Sequence, residues 1–144
     1  MGWILYMQRG AYVHPEGKVL KVRTAALDEY SSIAVIDFRL VNDSDVRLEV
    51  RDVTVTYEDR SGKVADGMIV AEMDAKKLFQ YYPVLGQKYN NTLVARDRID
   101  PRQTMDRMIA ARFEMPLAQL EARKTLTVRI TDVDHHALEF SESR

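Results

Sequence analysis

An all-β fold of antiparallel strands is what this 144-residue sequence predicts, and three observations carry that expectation. Six runs repeat apolar side chains with period two, the spacing that places alternate residues on one face of a strand. Clusters of Asn, Asp, Ser and Gly separate several of these runs, and such residues bond their own backbone in tight reversals. Helical signals are confined to two short segments. The length suits one domain, able to remove roughly 70% of its extended-chain surface from water.

Residues 1–17 read as an N-terminal segment and 18–144 as a single sandwich domain. The strand signals begin with KVLKV (Lys18 to Val22) and IAVIDFRLV (Ile33 to Val41), where Ala34, Ile36, Phe38 and Leu40 share a face. Asn42, Asp43, Ser44 and Asp45 then predict a turn. In the stretch from Val46 to Lys63, Val46, Leu48 and Val50 fall on one face, but Val53, Val55 and Tyr57 fall on the other. A β-bulge at Arg51 and Asp52 resolves this change of parity, because one additional residue re-aims every later side chain toward the same core. Glu58 to Gly62 supplies the next turn, with Gly62 suited to a positive φ.

Lys63 to Glu72 reads as a further strand. Asp74 is placed to cap a short helix through Leu78, Phe79 and Tyr81, which Pro83 stops by excluding the α conformation before it. Ile109, Ala111, Phe113 and Met115 mark the strand from Met108 to Met115, and Pro116 opens a turn or two of helix through Leu117, Leu120 and Arg123. Leu126, Val128 and Ile130 mark the strand from Thr125 to Ile130, before a turn and a last strand. An antiparallel meander is the simplest topology, with both helices crossing the ends of a sandwich rather than forming a layer.

The apolar share of 46% and the charged share of 30% are those of soluble globular chains. Lys and Arg (21) nearly balance Asp and Glu (22), a formal charge of −1 that removes the usual electrostatic argument for nucleic acid or an acidic membrane. The chain has no cysteine, which excludes disulfides, thiolate metal sites and a cysteine nucleophile without fixing a compartment. The run Trp3 to Met7, followed by Arg9, is shorter than the roughly 20 residues a spanning helix needs. It reads as a first strand or plain chain start, or else as the stub of a truncated membrane anchor.

The most site-like cluster is TDVDHHALEF, in which Asp132, Asp134 and His136 share a face of an extended chain. Mixed carboxylate and imidazole ligands suit several divalent metals. The competing reading is a solvated turn before the last strand, and adjacent His135 and His136 point to opposite sides of any strand. No nucleophile elbow or Gly-rich phosphate loop is present. No catalytic residue, cofactor or metal is therefore assigned, and the chain is not read as an enzyme. Phe79, Tyr81, Tyr82 and Tyr89 offer either a lid over one end of the core or an interaction surface, since tyrosine favours sites half buried and half wet.

The run DFRLVNDSDVRLEVRDVTVTYEDRSGKV resembles the core of the late embryogenesis abundant type 2 proteins, or water stress and hypersensitive response domain, and of related bacterial sandwich domains. ARDRIDPRQTMDRMIAARFEM fits the same plan. LFQYYPVLG, ARDRIDP and LEARKTLTVRI are similar to segments of an uncharacterised bacterial family with an N-terminal membrane anchor. The resemblance implies an immunoglobulin- or fibronectin III-like sandwich without catalytic residues. It implies a domain on the periplasmic side of the cell envelope, with an unknown protein partner. A cytoplasmic, stress-protective protein is the alternative, and a metal-dependent protein built on Asp132, Asp134 and His136 is another. One departure stands out: Asp-Pro-Arg-Gln-Thr precedes Met105 where Pro-Gly is frequent, which leaves that turn's geometry open.

Overall fold

A computed structural model describes residues 15–134 and 136–143. Its strands are β1 (Pro15–Ala26), β2 (Ser32–Asn42), β3 (Leu48–Glu58), β4 (Val64–Asp66), β5 (Met68–Ile69), β6 (Arg98–Ile99), β7 (Thr104–Phe113), β8 (Thr125–Asp132) and β9 (Ala137–Ser141). Two helices join them, α1 (Glu72–Tyr81) and α2 (Leu117–Glu121), and a 3₁₀ turn spans Pro83–Leu85. One sheet is ordered β1-β2-β7-β5 and the other β4-β3-β8-β9, with β6 paired to the start of β3. This is the antiparallel β-sandwich expected. The run Trp3 to Met7 lies outside the described residues, and β1 begins within the segment set apart as 1–17.

The inner faces meet as the period-two pattern requires. Ala34, Ile36, Phe38 and Leu40 of β2 pack with Ile109, Ala111 and Phe113 of β7 against Val55, Tyr57, Leu126 and Val128 of the opposite sheet, all buried. The β3–β8 register passes from Val50 opposite Asp132 to Asp52 opposite Thr131. Arg51 is therefore the additional residue, and the bulge stands where the parity change placed it. Leu48, Val50, Val55 and Tyr57 are buried, and Val53 is half-buried against the same core. Val46 departs from the expectation: it precedes the strand and stands exposed.

The meander is corrected. Among the described residues only β1–β2, β3–β4 and β8–β9 are hairpins, whereas the chain changes sheets between β2 and β3 and between β7 and β8. Alternation reveals which face of a strand is apolar, not which strand lies beside it. Lys63 to Glu72 is likewise not one strand. The Gly67 N–H donates to the Val55 carbonyl at 2.8 Å, and the next residue already pairs with Arg112 in the other sheet. A Cβ on Gly67 would lie 2.8 Å from Phe113 Cζ, so the crossing needs glycine because the backbone passes directly over an aromatic ring.

The first helix also departs from the reading. It starts at Glu72 behind Ala71, without a side-chain cap; Asp74 lies inside the first turn, where its charge complements the positive end of the helix dipole. Nor does it cross an end. Ala75 joins Ile33, Val35, Met108 and Ala110 in a second buried cluster, with Leu78, Phe79 and Tyr82 packed against it. These strand residues face away from the sandwich core, so the segment after β5 forms a third layer over the outer face of the first sheet. That explains why IAVIDFRLV is apolar at almost every position rather than at alternate ones.

Two turns hold arginines at positive φ, Arg96 at 74° and Arg102 at 63°. Arg102 follows Pro101 in a turn closed by the Gln103 N–H and the Asp100 carbonyl at 3.2 Å, and so occupies the place usually taken by glycine. Its guanidinium donates to Asp45 at 2.8 Å and to Asp43 at 3.4 Å. Relieving such strain gains on the order of 1 kcal/mol, and exposed ion pairs contribute up to about the same. Arg96→Gly is therefore expected to raise stability by about 0.5–1 kcal/mol and Arg102→Gly to leave it nearly unchanged, as denaturant midpoints will show.

The β3–β4 turn is tied by Asp59, whose Oδ1 accepts from Ser61 N–H (2.8 Å), Ser61 Oγ (2.7 Å) and Lys63 N–H (3.0 Å). The Ser61 hydroxyl, foremost among these donors, holds its carboxyl below the ordinary 3.8. A carboxylate with a depressed folded-state pKa stabilises above its unfolded value, and that contribution disappears as pH falls through the folded one. The difference in melting temperature between the native chain and Asp59→Ala should thus be present at pH 7 and shrink below about pH 4.

Candidate functional site

The turn predicted at Asn42 to Asp45 is locked by Asn42 itself, whose buried amide donates to the carbonyls of Val46 (2.8 Å) and Ile99 (3.0 Å). That bond draws β6 against the start of β3 and leaves an apolar cleft where the sheets diverge. Leu40, Leu48, Val50, Ile99, Ile130 and Leu138 line it, a small open recess of about 30 Å³, with Glu49, Asp132 and His136 also lining it. Sequence reading identified Asp132 and His136 but not their apolar neighbours, because the lining comes from five strands far apart in the chain.

Asp132 serves the β8–β9 turn. Its Oδ1 accepts from the backbone N–H groups of Asp134 (2.9 Å) and His136 (2.8 Å), while Oδ2 stands 3.4 Å from His136 Nδ1. A carboxylate engaged by two backbone donors holds a tight reversal. Among the described residues no three His, Asp or Glu side chains are arranged to hold a metal ion; His135 is outside them.

The aromatic group is divided by the structure. Phe79 and Tyr82 turn inward on the second cluster, whereas Tyr81 and Tyr89 are 71% and 59% exposed. Phe79 and Tyr89 also embrace Arg23 of β1, whose guanidinium carbon lies 5.2 Å and 4.8 Å from their ring centroids. Arg23 donates to Asp37 Oδ2 (2.8 Å), to the Leu85 carbonyl (2.8 Å) and to the Gln87 carbonyl. Asn90 completes the arrangement by donating to Asp37 Oδ1 at 2.9 Å. Sequence reading missed this staple, although a lone acid inside IAVIDFRLV was the signal: a buried carboxylate demands a partner.

Fold and site together define a three-layered β-sandwich domain with an apolar cleft at one end. No family model and no curated protein matches the sequence. Two solved structures are similar in outline. The archaellum periplasmic stator protein FlaG from Sulfolobus acidocaldarius is 9% identical, with 89% of this chain and 99% of that one covered at a TM-score of 0.41. The archaellum periplasmic stator protein complex of FlaF and FlaG from the same organism is also 9% identical, with 88% and 87% covered at 0.40. At that distance the fold assignment rests on the strand pairing described above.

Proposed function

We propose that this chain is a non-catalytic interaction domain of the cell envelope, which holds a protein partner by an aliphatic side chain seated in the cleft. The make-up of the cleft carries this reading. An apolar floor lies beside the ion pairs Glu49–Arg98 (3.5 Å) and Arg47–Asp100 (3.1 Å) and the polar contact of Asp132 with His136 (3.4 Å), the anatomy of a small protein interface with a dry centre and a polar rim. The resemblance to anchored bacterial sandwich domains supports the envelope placement. A stress-protective protein acting through general surface properties has no need of such a cleft, which favours the first reading. A photo-crosslinking amino acid at exposed Ala137, on the cleft, should yield a discrete protein adduct in cells, and one at Arg60, in the distant β3–β4 turn, should not. No adduct, or the same adducts from both positions, would remove the reading.

A further inference from the structure

The outer layer separates charge in a way the near-neutral total conceals. Between Asp74 and Asp97 the sequence contains no acidic residue, yet it carries Lys76, Lys77, Lys88 and Arg96. The first part of this stretch, as far as Tyr89, is the segment laid over the first sheet, whereas Leu93 joins the sandwich core and the Arg96 N–H donates to the Val50 carbonyl of the second sheet. Ala75, Leu78, Phe79, Tyr82 and Leu85 pack inward, which leaves Tyr81 and Val84 on the solvent side, 71% and 77% exposed, beside Tyr89. Lys21 of β1 adds a further cation, its Nζ 5.5 Å from the Tyr89 ring centroid. The acid beneath the layer, Asp37, is buried and already paired with Arg23.

We infer that this face docks on an anionic lipid bilayer, independently of the cleft. Tyrosine and a protruding aliphatic residue suit the boundary between headgroups and acyl chains, where an amphipathic ring keeps its hydroxyl wet. Surrounding lysines are attracted to acidic headgroups, while their stems cover apolar surface. The acids of this layer, Glu72 and Asp74, are confined to the first turn of α1, and the purely cationic remainder around Tyr81 and Tyr89 is what favours a negatively charged surface over a neutral one. Tyr81 and Val84 would enter the interface as Lys77, Lys88 and Lys21 meet the headgroups.

Flotation of the full chain with defined vesicles tests this. Vesicles of phosphatidylcholine containing about 30% phosphatidylglycerol should carry the protein, and vesicles of phosphatidylcholine alone should carry much less. Reversing two lysines in Lys77→Glu/Lys88→Glu should weaken binding at least about tenfold, as should raising the salt to about 0.5 M. Tyr81→Ala/Val84→Ala should weaken it several-fold at constant charge. Lys77, Tyr81 and Val84 are exposed and Lys88 is half-buried, and unchanged melting temperatures will show that the variants fold. A Trp3→Ser/Leu5→Ser variant isolates any contribution of the N-terminal apolar run. Failure of the native chain to bind anionic vesicles overturns the inference. So does binding that survives charge reversal, binding lost only in the Trp3/Leu5 variant, or an acidic protein surface that the Lys77/Lys88 face binds while ignoring vesicles.

Discussion

Replacing Arg23 by methionine is expected to destabilise the protein by about 3–5 kcal/mol, the usual cost of leaving one member of a buried ion pair unpartnered. Arg23 and Asp37 side chains are only 9% and 4% exposed. Without the guanidinium, Asp37 keeps a single side-chain donor, Asn90, and the carbonyls of Leu85 and Gln87 lose their donor as well. The rings of Phe79 and Tyr89 lose the cation between them, a further loss of up to about 2 kcal/mol if the site stays dry. The damage should be local before it is global: amide exchange should accelerate through residues 79–93 while β7 and β8 stay protected. Arg23→Met/Asp37→Leu should recover most of the loss, because removing both charges removes the desolvation cost they share. By contrast, breaking the exposed pair Arg39–Asp106, 48% and 34% exposed, should cost at most about 1 kcal/mol.

Arg123→Met should cost a similar amount, about 3–5 kcal/mol, by the same logic at the other end of the molecule. The Arg123 guanidinium meets Glu142 through Nε at 2.5 Å and Nη2 at 2.9 Å, and donates through Nη1 to the Leu120 carbonyl at 3.0 Å. Both side chains are nearly enclosed, at 6% and 7% exposure. The pair ties the end of α2 to the residue following β9. Lysine at 123 keeps the charge but not the planar fork that engages both carboxylate oxygens. Arg123→Lys should therefore recover only part of the stability, whereas Glu142→Gln should resemble Arg123→Met. Chemical denaturation read by tryptophan-independent far-ultraviolet dichroism will rank the three.

The sequence made some parts of this architecture legible and hid others for identifiable reasons. Parity along β3 located the bulge to the pair Arg51 and Asp52, because a bulge changes which side chains share a face and alternation reports that directly; the strand register then singles out Arg51. The turn at Gly62 was legible from composition, and Gly62 does take a positive φ. The order of strands was not, since Phe38 and Phe113 are apolar whichever neighbours they have. The third layer was hidden for a related reason: two-sided burial of β2 shows as an unbroken apolar run, ambiguous until something is seen to cover it. Of the candidate site, Asp132 and His136 stood out as chemistry, yet Asp132 holds a turn and the apolar lining beside it comes from strands dispersed along the chain.

The bulge at Arg51 has a consequence for how copies of this protein behave beside one another. Removing Arg51 would leave LEVDVTVTY, a nine-residue segment of unbroken alternation, with high β propensity and a continuous apolar face. Such segments stack readily into intermolecular sheets. On the side of β3 away from β8, β6 and the residues before it engage Leu48 to Val50, while Gly67 and β4 engage Val55 to Glu58, so Asp52 to Thr54 form an edge. The additional residue adjoins that window, and its kink and charged side chain make a poor template for a foreign strand. A chain lacking Arg51 should keep its core composition and gain a tendency to form thioflavin-binding aggregates, so that the one irregular residue in the strand protects against self-association.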